Sequence, residues 1–385
     1  MGAKESARQQ IENNREALIA LSHRIHANPE MGFEEVKASA WLAEILSDGG
    51  FSVETGVCDL PTAFIAKAGS GLLHIGICAE YDALPGVGHA CGHNVIAAMA
   101  VGAGLAASAI ANEVGLTVSV IGTPAEEGGG GKVFMLERGA FEGIHAAMMV
   151  HPAPFDVVAP KMLASSRFEV RYTGKEAHAS AFPEQGINAA DALTIAQTSI
   201  GLLRQHILPT QRIHGIVTKG GDAPNIIPAH TSAEYILRGQ TLQELEDLRP
   251  RVARCFEAGA LATGSSLEIL DGAKPYAEVI HDQDMADIYR RNSEALGRTY
   301  PDLGPIFERA TASTDMGNVS LAMPTIHPMI GINSGSAGNH QPEFTAHCAT
   351  EDADRAIIHG ATAMAWTAID LATNAGVRER LLSGD

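Results

Sequence analysis

Along the chain, the apolar positions switch several times between a helical and a strand rhythm. Ile11, Leu18, Leu21 and Ile25 recur at intervals that share one helical face, which predicts a helix over residues 6–28. A second helix is expected over residues 34–46, stopped before Gly49-Gly50. Apolar runs at 63–68, 72–79, 116–121 and 146–150 read as buried strands, and the Ala-rich segment 95–110 between two of them reads as a helix. Strands alternating with helices predict a mostly parallel sheet with helices on both faces, an α/β architecture.

From about residue 165 the grammar changes. Residues 167–172 alternate as a strand, 188–206 form a helical pattern, and 212–219 and 232–237 are strands. A helix over 242–262, with Leu245 and Leu248 on its apolar side, precedes a last strand at 267–270. The order β-α-β-β-α-β is that of a ferredoxin-like sandwich. After residue 274 the first grammar resumes and ends in a helix over 352–373. The predicted organisation is a domain of residues 1–164 and 275–385 interrupted by an inserted domain of residues 165–274.

Composition narrows the function classes. A chain of 385 residues can build two cores, and 45% hydrophobic with 19% charged residues excludes general disorder. The formal net charge of −18 argues against nucleic-acid binding, which depends on basic groups, and suits small cationic ligands such as metals. Cys58, Cys78, Cys91, Cys255 and Cys348 are odd in number and scattered, so a reducing, cytoplasmic setting is expected rather than a disulfide framework. No apolar signal core opens the chain, and no later run approaches a membrane span.

The densest chemistry lies in Glu80-Tyr81-Asp82-Ala83-Leu84-Pro85 and in His89-Ala90-Cys91-Gly92-His93-Asn94. The first segment ends a strand, where ligand groups gather in parallel sheets, and the second opens a helix. Cys91 and His93 suit a borderline-soft ion such as zinc, though each alone reads equally as a buried thiol or a helix-start imidazole. Glu126 and Glu127 follow the strand at 116–121 and lead into Gly128 to Gly131. Adjacent carboxylates there repel unless a cation stands beside them; one can ligate while its neighbour takes a proton from a bound water. A solvated acidic turn is the main alternative, and a phosphate loop is a weak one, since its Lys-Ser/Thr ending is missing and acids precede the glycines. His151 follows Met148-Met149-Val150, and His340 ends the loop Gly335-Ser336-Ala337-Gly338-Asn339. A single histidine is more often structural, so the case rests on four such sites at strand ends. His89 reads as structural or supporting, His327 as packed, and Cys78 as a small buried apolar residue.

With these residues assembled, the chain resembles the dinuclear-metal amidohydrolases that include aminoacylases, hippurate hydrolases and auxin-conjugate hydrolases. The carriers are Cys91-Gly92-His93, Pro124-Ala125-Glu126-Glu127-Gly128, His151, Ala177-His178-Ala179-Ser180, Pro224-Asn225-Ile226-Ile227-Pro228 and His340, all in the family's order. Tyr81-Asp82-Ala83-Leu84-Pro85, Cys91-Gly92-His93-Asn94 and Ser313-Thr314-Asp315-Met316-Gly317 place it nearest the branch of the aminobenzoyl-glutamate hydrolase B-subunit and β-alanyl-dipeptidase. Two departures stand out. Asn94-Val95 replace an Asp and a His, and Cys78-Ala79-Glu80 replace a more usual Arg-Ala-Asp.

The resemblance implies two divalent metal ions, zinc foremost and manganese or cobalt also compatible, on Cys91, His93, Glu127, His151 and His340. Glu126 would be the general base, Asp82 a carboxylate orienting a ligand, and His178 a donor to the tetrahedral oxyanion. Asn225 and Arg238 would hold a substrate carboxylate. Read without it, Asn225 caps a turn and Arg238 is a solvated strand end. The implied substrate is an N-acyl amino acid or dipeptide-like amide. The inserted domain would serve as lid and dimerisation surface, giving a homodimer or a higher homo-oligomer, with His178 reaching a neighbouring subunit's site. Two other readings compete: a catalytically silent binding protein on the same fold, and a metal-free α/β protein.

Overall fold

The computed structural model describes residues 2–302, 304 and 311–384. The chain divides into two compact units, Met1–Lys161 with Val279–Asp385, and Met162–Glu278. Each has its own apolar core.

The first unit is built on a six-stranded sheet in the order Ser52–Thr55, Phe64–Gly69, Leu116–Gly122, Leu73–Ala79, Ala146–Met148, Thr325–Ile326. The last four strands run parallel, and the first two attach antiparallel at one edge. Leu116–Gly122 is buried at every position, which explains a continuous apolar run in place of alternation. Ser52–Thr55 has no such signature, because its short polar sequence lies largely exposed. The apolar run at 146–150 is a strand only as far as Met148. Beyond it the His151 N–H donates to Pro328 O, and His151–Ala153 pairs in parallel with Met329–Gly331.

Helix His93–Ser108 is buried at every residue except Ser108. A helix enclosed on all sides has no polar face to present, hence its Ala-rich, uniformly apolar sequence. It packs between Ala3–His26 and Glu351–Thr373. Gly102 permits that approach, since a Cβ there would stand 2.8 Å from Leu18 Cδ1 and 3.0 Å from Ala361 Cβ.

The second unit is a four-stranded antiparallel sheet in the order Ser266–Asp271, Ala164–Thr173, His230–Gly239, Arg212–Lys219. Phe168, Val170, Tyr172, Ala233, Tyr235 and Leu237 are buried on the face where helices Ala189–Leu203 and Leu242–Thr263 pack, and Phe256 stacks edge-on against Tyr235. This is the ferredoxin-like order that the alternation predicted.

Candidate metal centre

Three neighbouring parallel strands deliver their carboxyl ends to one edge of the first sheet. Leu73–Ala79 leads into Glu80 and Asp82, Leu116–Gly122 into Glu126 and Glu127, and Ala146–Met148 into His151. Cys91 and His93 arrive from the start of the buried helix. Gly92 between them takes φ +81, and a Cβ there would lie 2.5 Å from Pro152 Cγ, so only glycine lets this turn reach the His151 strand. Ala125 (φ 56) and His340 (φ 71) also occupy the left-handed region, which costs a non-glycine residue energy and collects at working sites. At Ala125 the surroundings hold the turn: Glu35 accepts the Ala125 N–H at 2.8 Å and Asp82 accepts the Glu127 N–H at 2.9 Å.

Donor atoms at about 2.0–2.3 Å from one tetrahedral ion stand roughly 3.3–3.6 Å from one another. Cys91 Sγ lies 3.4 Å from both His151 Nε2 and His340 Nε2, and Glu127 Oε1 lies 3.5 Å from His340 Nε2. His93 Nε2 is 3.8 Å from Glu127 Oε1 and 3.5 Å from Glu80 Oε2. Three sets meet within 4.8 Å: Cys91, His93 and His151; Cys91, Glu127 and His340; Glu80, His93 and Glu126. His93 Nε2, Glu127 Oε1 and Glu80 Oε2 are buried and take part in no hydrogen bond. Buried polar atoms are seldom left so, and here they face one another as ligands around a cation would. The donor set therefore fits divalent metal.

The electrostatics point the same way. Burial, Glu80 and Glu127 together push the Glu126 carboxyl well above the usual range. Burial, with Glu127 and Glu126, likewise raises the Cys91 thiol well above its ordinary value, a penalty that coordination to a cation reverses. Burial disfavours a charged His93, yet Asp82, Glu80 and Glu127 outweigh it and raise its pKa. Asp82 is fully buried, but His93 and the Glu127 N–H more than offset that burial and keep its carboxyl low. Its Oδ1 stands 2.9 Å from His93 Nδ1, which turns His93 Nε2 toward the other donors.

Asn94 has a bracing place, donating to Ser22 Oγ and Cys348 O at 2.8 Å each. His89 is buried against His26, with its pKa pressed down to about 3 by burial, and His327 packs 5.6 Å from the His151 ring. Cys78 is a fully buried thiol.

In the inserted unit, His178 and Asn225 meet on adjacent extended segments, where the Ala179 N–H donates to Asn225 O at 3.0 Å and the Ile227 N–H to Ala177 O at 2.9 Å. Both residues are exposed. Arg238 stands elsewhere, near the far end of strand His230–Gly239, with Nε 3.3 Å from His214 Nε2. Arg238 is eight steps along the strand from His230, about 27 Å at the usual rise, so one chain does not bring Asn225 and Arg238 together.

Sequence reasoning missed the neighbours that hold this edge in place. Lys132 is fully buried, donating to Glu80 Oε1 at 2.5 Å and to Asp315 Oδ1 at 2.7 Å, while its N–H donates to Asp315 Oδ2 at 2.9 Å. Glu35, also buried, accepts from Thr62 Oγ1 at 2.8 Å. A lysine straight after a glycine run in a chain with few cations was the available signal.

Soft and hard donors converging on adjacent carboxylates at a strand edge define a metal-dependent hydrolase. Residues 76–365 match the model of peptidase family M20/M25/M40, and the chain belongs to that family. It is 37% identical over 382 residues to the Xaa-Arg dipeptidase of Mus musculus, covering 96% of this chain and 88% of that protein. To the B-subunit of p-aminobenzoyl-glutamate hydrolase from Escherichia coli it is 34% identical over 279 residues, 67% of this chain and 58% of that one. In fold it is similar to a dinuclear metal binding peptidase of Bacillus subtilis, with TM-score 0.70 and 22% identity over 94% of this chain and 99% of that one. The aminobenzoyl-glutamate utilization protein of Klebsiella pneumoniae gives TM-score 0.72 at 16% identity, covering 93% and 97%.

Proposed function

We propose that this chain hydrolyses the amide bond of a dipeptide or N-acyl amino acid that carries a free carboxylate, using two divalent ions. Cys91, His93, Glu127, His151 and His340 would hold the ions, with zinc first among the candidates because a thiolate and imidazoles dominate the donors. The observation that carries this reading is the meeting of buried, unbonded His93 Nε2 and Glu127 Oε1 beside a second carboxylate, Glu126. When bound, such ions polarise the scissile carbonyl and lower the pKa of water. Glu126 then has a base's work, taking the water proton and passing it to the leaving amine. Asp82 keeps His93 in the ligating tautomer.

Substrate recognition falls to the inserted unit. His178 and Asn225 form one exposed group and Arg238 another, so a single substrate touched by both requires each group to come from a different copy of the chain. An edge strand supports such pairing: Arg212–Lys219 has a neighbour on one side only and exposes Ile216 and Val217. A homodimer joined through the inserted units would let one substrate meet His178 of one copy and Arg238, gripping its carboxylate, of the other. All five cysteines are free thiols, in keeping with a reducing cytoplasm, and among the described residues no helix is long and apolar enough to cross a membrane.

Dipeptides ending in arginine head the substrate panel, since the mammalian relative is named an Xaa-Arg dipeptidase and this chain is strongly acidic. The test is hydrolysis of such dipeptides, β-alanyl dipeptides, acyl-amino acids and aminobenzoyl-glutamate with added zinc, manganese or cobalt. Turnover of at least one class by the native chain, lost in Glu126→Gln, is the expected result. Binding without turnover across the panel would favour a silent binding protein instead.

A further inference from the structure

Five carboxylates, Glu80, Asp82, Glu126, Glu127 and Asp315, crowd the edge where the metal donors meet, and one lysine, Lys132, stands among them. Lys132 is shared by two of the five. Asp315 grips it twice, through side chain and backbone N–H, and by itself matches its charge. Glu80 is therefore a fully buried carboxylate whose charge is surplus to that pairing. Only one of its oxygens is used: Oε1 accepts from Lys132 Nζ at 2.5 Å. The other, Oε2, accepts no hydrogen bond and faces His93 Nε2 at 3.5 Å, which is equally unbonded. At 3.5 Å the His93–Glu80 contact is longer than a good N–H···O hydrogen bond. Asp82 already holds the Nδ1 edge of the ring at 2.9 Å, so Nε2 is the edge turned toward Glu80. Two bare donor atoms 3.5 Å apart, both buried, have the separation of neighbouring ligands on one ion.

We propose that Glu80 is itself a metal ligand, its Oε2 joining His93 Nε2 on one of the two cations. Lys132 and Asp315 are positioning residues. By fixing Oε1, the ammonium turns the carboxylate so that a single oxygen points at the ion, and Asp315 fixes the ammonium. The same cation then lies beside Glu126, whose carboxylate oxygen is within 4.8 Å of both donors, so Glu80 also helps set where the base finds its water. This inference rests on the metal-centre reading above.

Diffraction from the zinc-loaded native protein, with anomalous maps at the zinc edge, separates the two claims. Zinc at His93 with Glu80 Oε2 about 2.0–2.2 Å away is the expected result. Zinc on Cys91, His93 and His151 with Glu80 Oε2 beyond about 3 Å removes Glu80 from the ligand set and leaves the centre intact. No zinc at His93 overturns the centre and this proposal with it. In solution, Glu80→Gln should bind one zinc as the native chain does and the second at least about 10-fold more weakly by chelator competition. Its cobalt-substituted form should show altered visible absorption, with far-UV circular dichroism unchanged. Native affinity at both sites with an unaltered cobalt spectrum would contradict the assignment. Lys132→Met should shift the cobalt spectrum in the same direction by a smaller amount, and no shift would remove its positioning role.

Discussion

The sheet edge of the first unit and the outer surface of the inserted unit solve different problems with the same twenty side chains. At the edge, the chemical groups are buried and cross-braced: Asp82 ties His93 to the Glu127 backbone, Glu35 ties Ala125 to Thr62, and Lys132 ties Glu80 to Asp315. On the inserted unit, His178 and Asn225 are exposed and are held by a few backbone bonds between extended segments. On the proposed function, the contrast is between reaction and recognition, which make opposite demands. A reacting group needs a fixed place in a low-dielectric setting, where its electrostatics are strong. A recognition group must meet a substrate that arrives and leaves, so it stays at the surface until something is bound.

The sharpest way to break that comparison is to alter the proposed base. Glu126→Gln keeps the shape of the side chain and removes its proton chemistry, so kcat should fall about 10²- to 10⁴-fold with metal content retained. Steady-state kinetics beside elemental analysis check this, and native kcat would remove Glu126 from the role.

Next in size is the brace at Glu35. Burial first, and then the nearby Asp82, raise its carboxyl to about 7 from an unfolded value near 4.5. A raised folded pKa means the native state binds more protons than the unfolded chain between those values. Its stabilising contribution is therefore complete below about pH 4.5 and lost as pH rises through about 7. The shift corresponds to on the order of 3 kcal/mol. Thermal melts from pH 5 to 8 should show native stability falling relative to Glu35→Gln, which has no proton to release. A constant gap between the two would show that Glu35 does not titrate there.

Arg238→Ala tests the recognition surface. Losing a charge-assisted pair costs about 1.5–3 kcal/mol, so kcat/KM on a good substrate should drop roughly 10- to 100-fold. On the C-terminal amide of that substrate the native chain and the variant should be nearly equal. A native enzyme that treats acid and amide alike would dissolve the carboxylate clamp. The smallest stability effect belongs to the edge strand: Ile216→Lys on an exposed position should move the melting transition within the range of about 0.5 kcal/mol. Sedimentation should nonetheless show the proposed dimer shifted toward monomer, and an unchanged mass would place the contact elsewhere.

The same contrast governs what could be read from the residues. The fold was legible because buried strands such as 116–121 are apolar throughout and the inserted strands alternate, so period alone separated the two grammars. Cys91, His93, Glu127 and His151 stood out because each follows a strand or opens a helix, and the structure gathers them with His340. Lys132 was harder to read: its place after a glycine run is the one local signal, and its partners Glu80 and Asp315 are 52 and 183 residues away. Glu35 was hidden for a like reason, lying 90 residues from the Ala125 N–H it holds. Asn225 and Arg238 were found by motif, but motif carries no distance. Only the extended strand from His230 to Gly239 shows that they sit in separate groups. Ser52–Thr55 escaped because exposed edge residues carry no period.

Metal content per chain is the most direct test of the central claim. Protein purified without chelator, reloaded with zinc and desalted, should give close to two ions per chain by elemental analysis. His93→Ala and Cys91→Ala should each lower that number, and turnover should fall with it. A native chain that hydrolyses its substrate at full rate after a strong chelator has removed all bound metal would contradict the account.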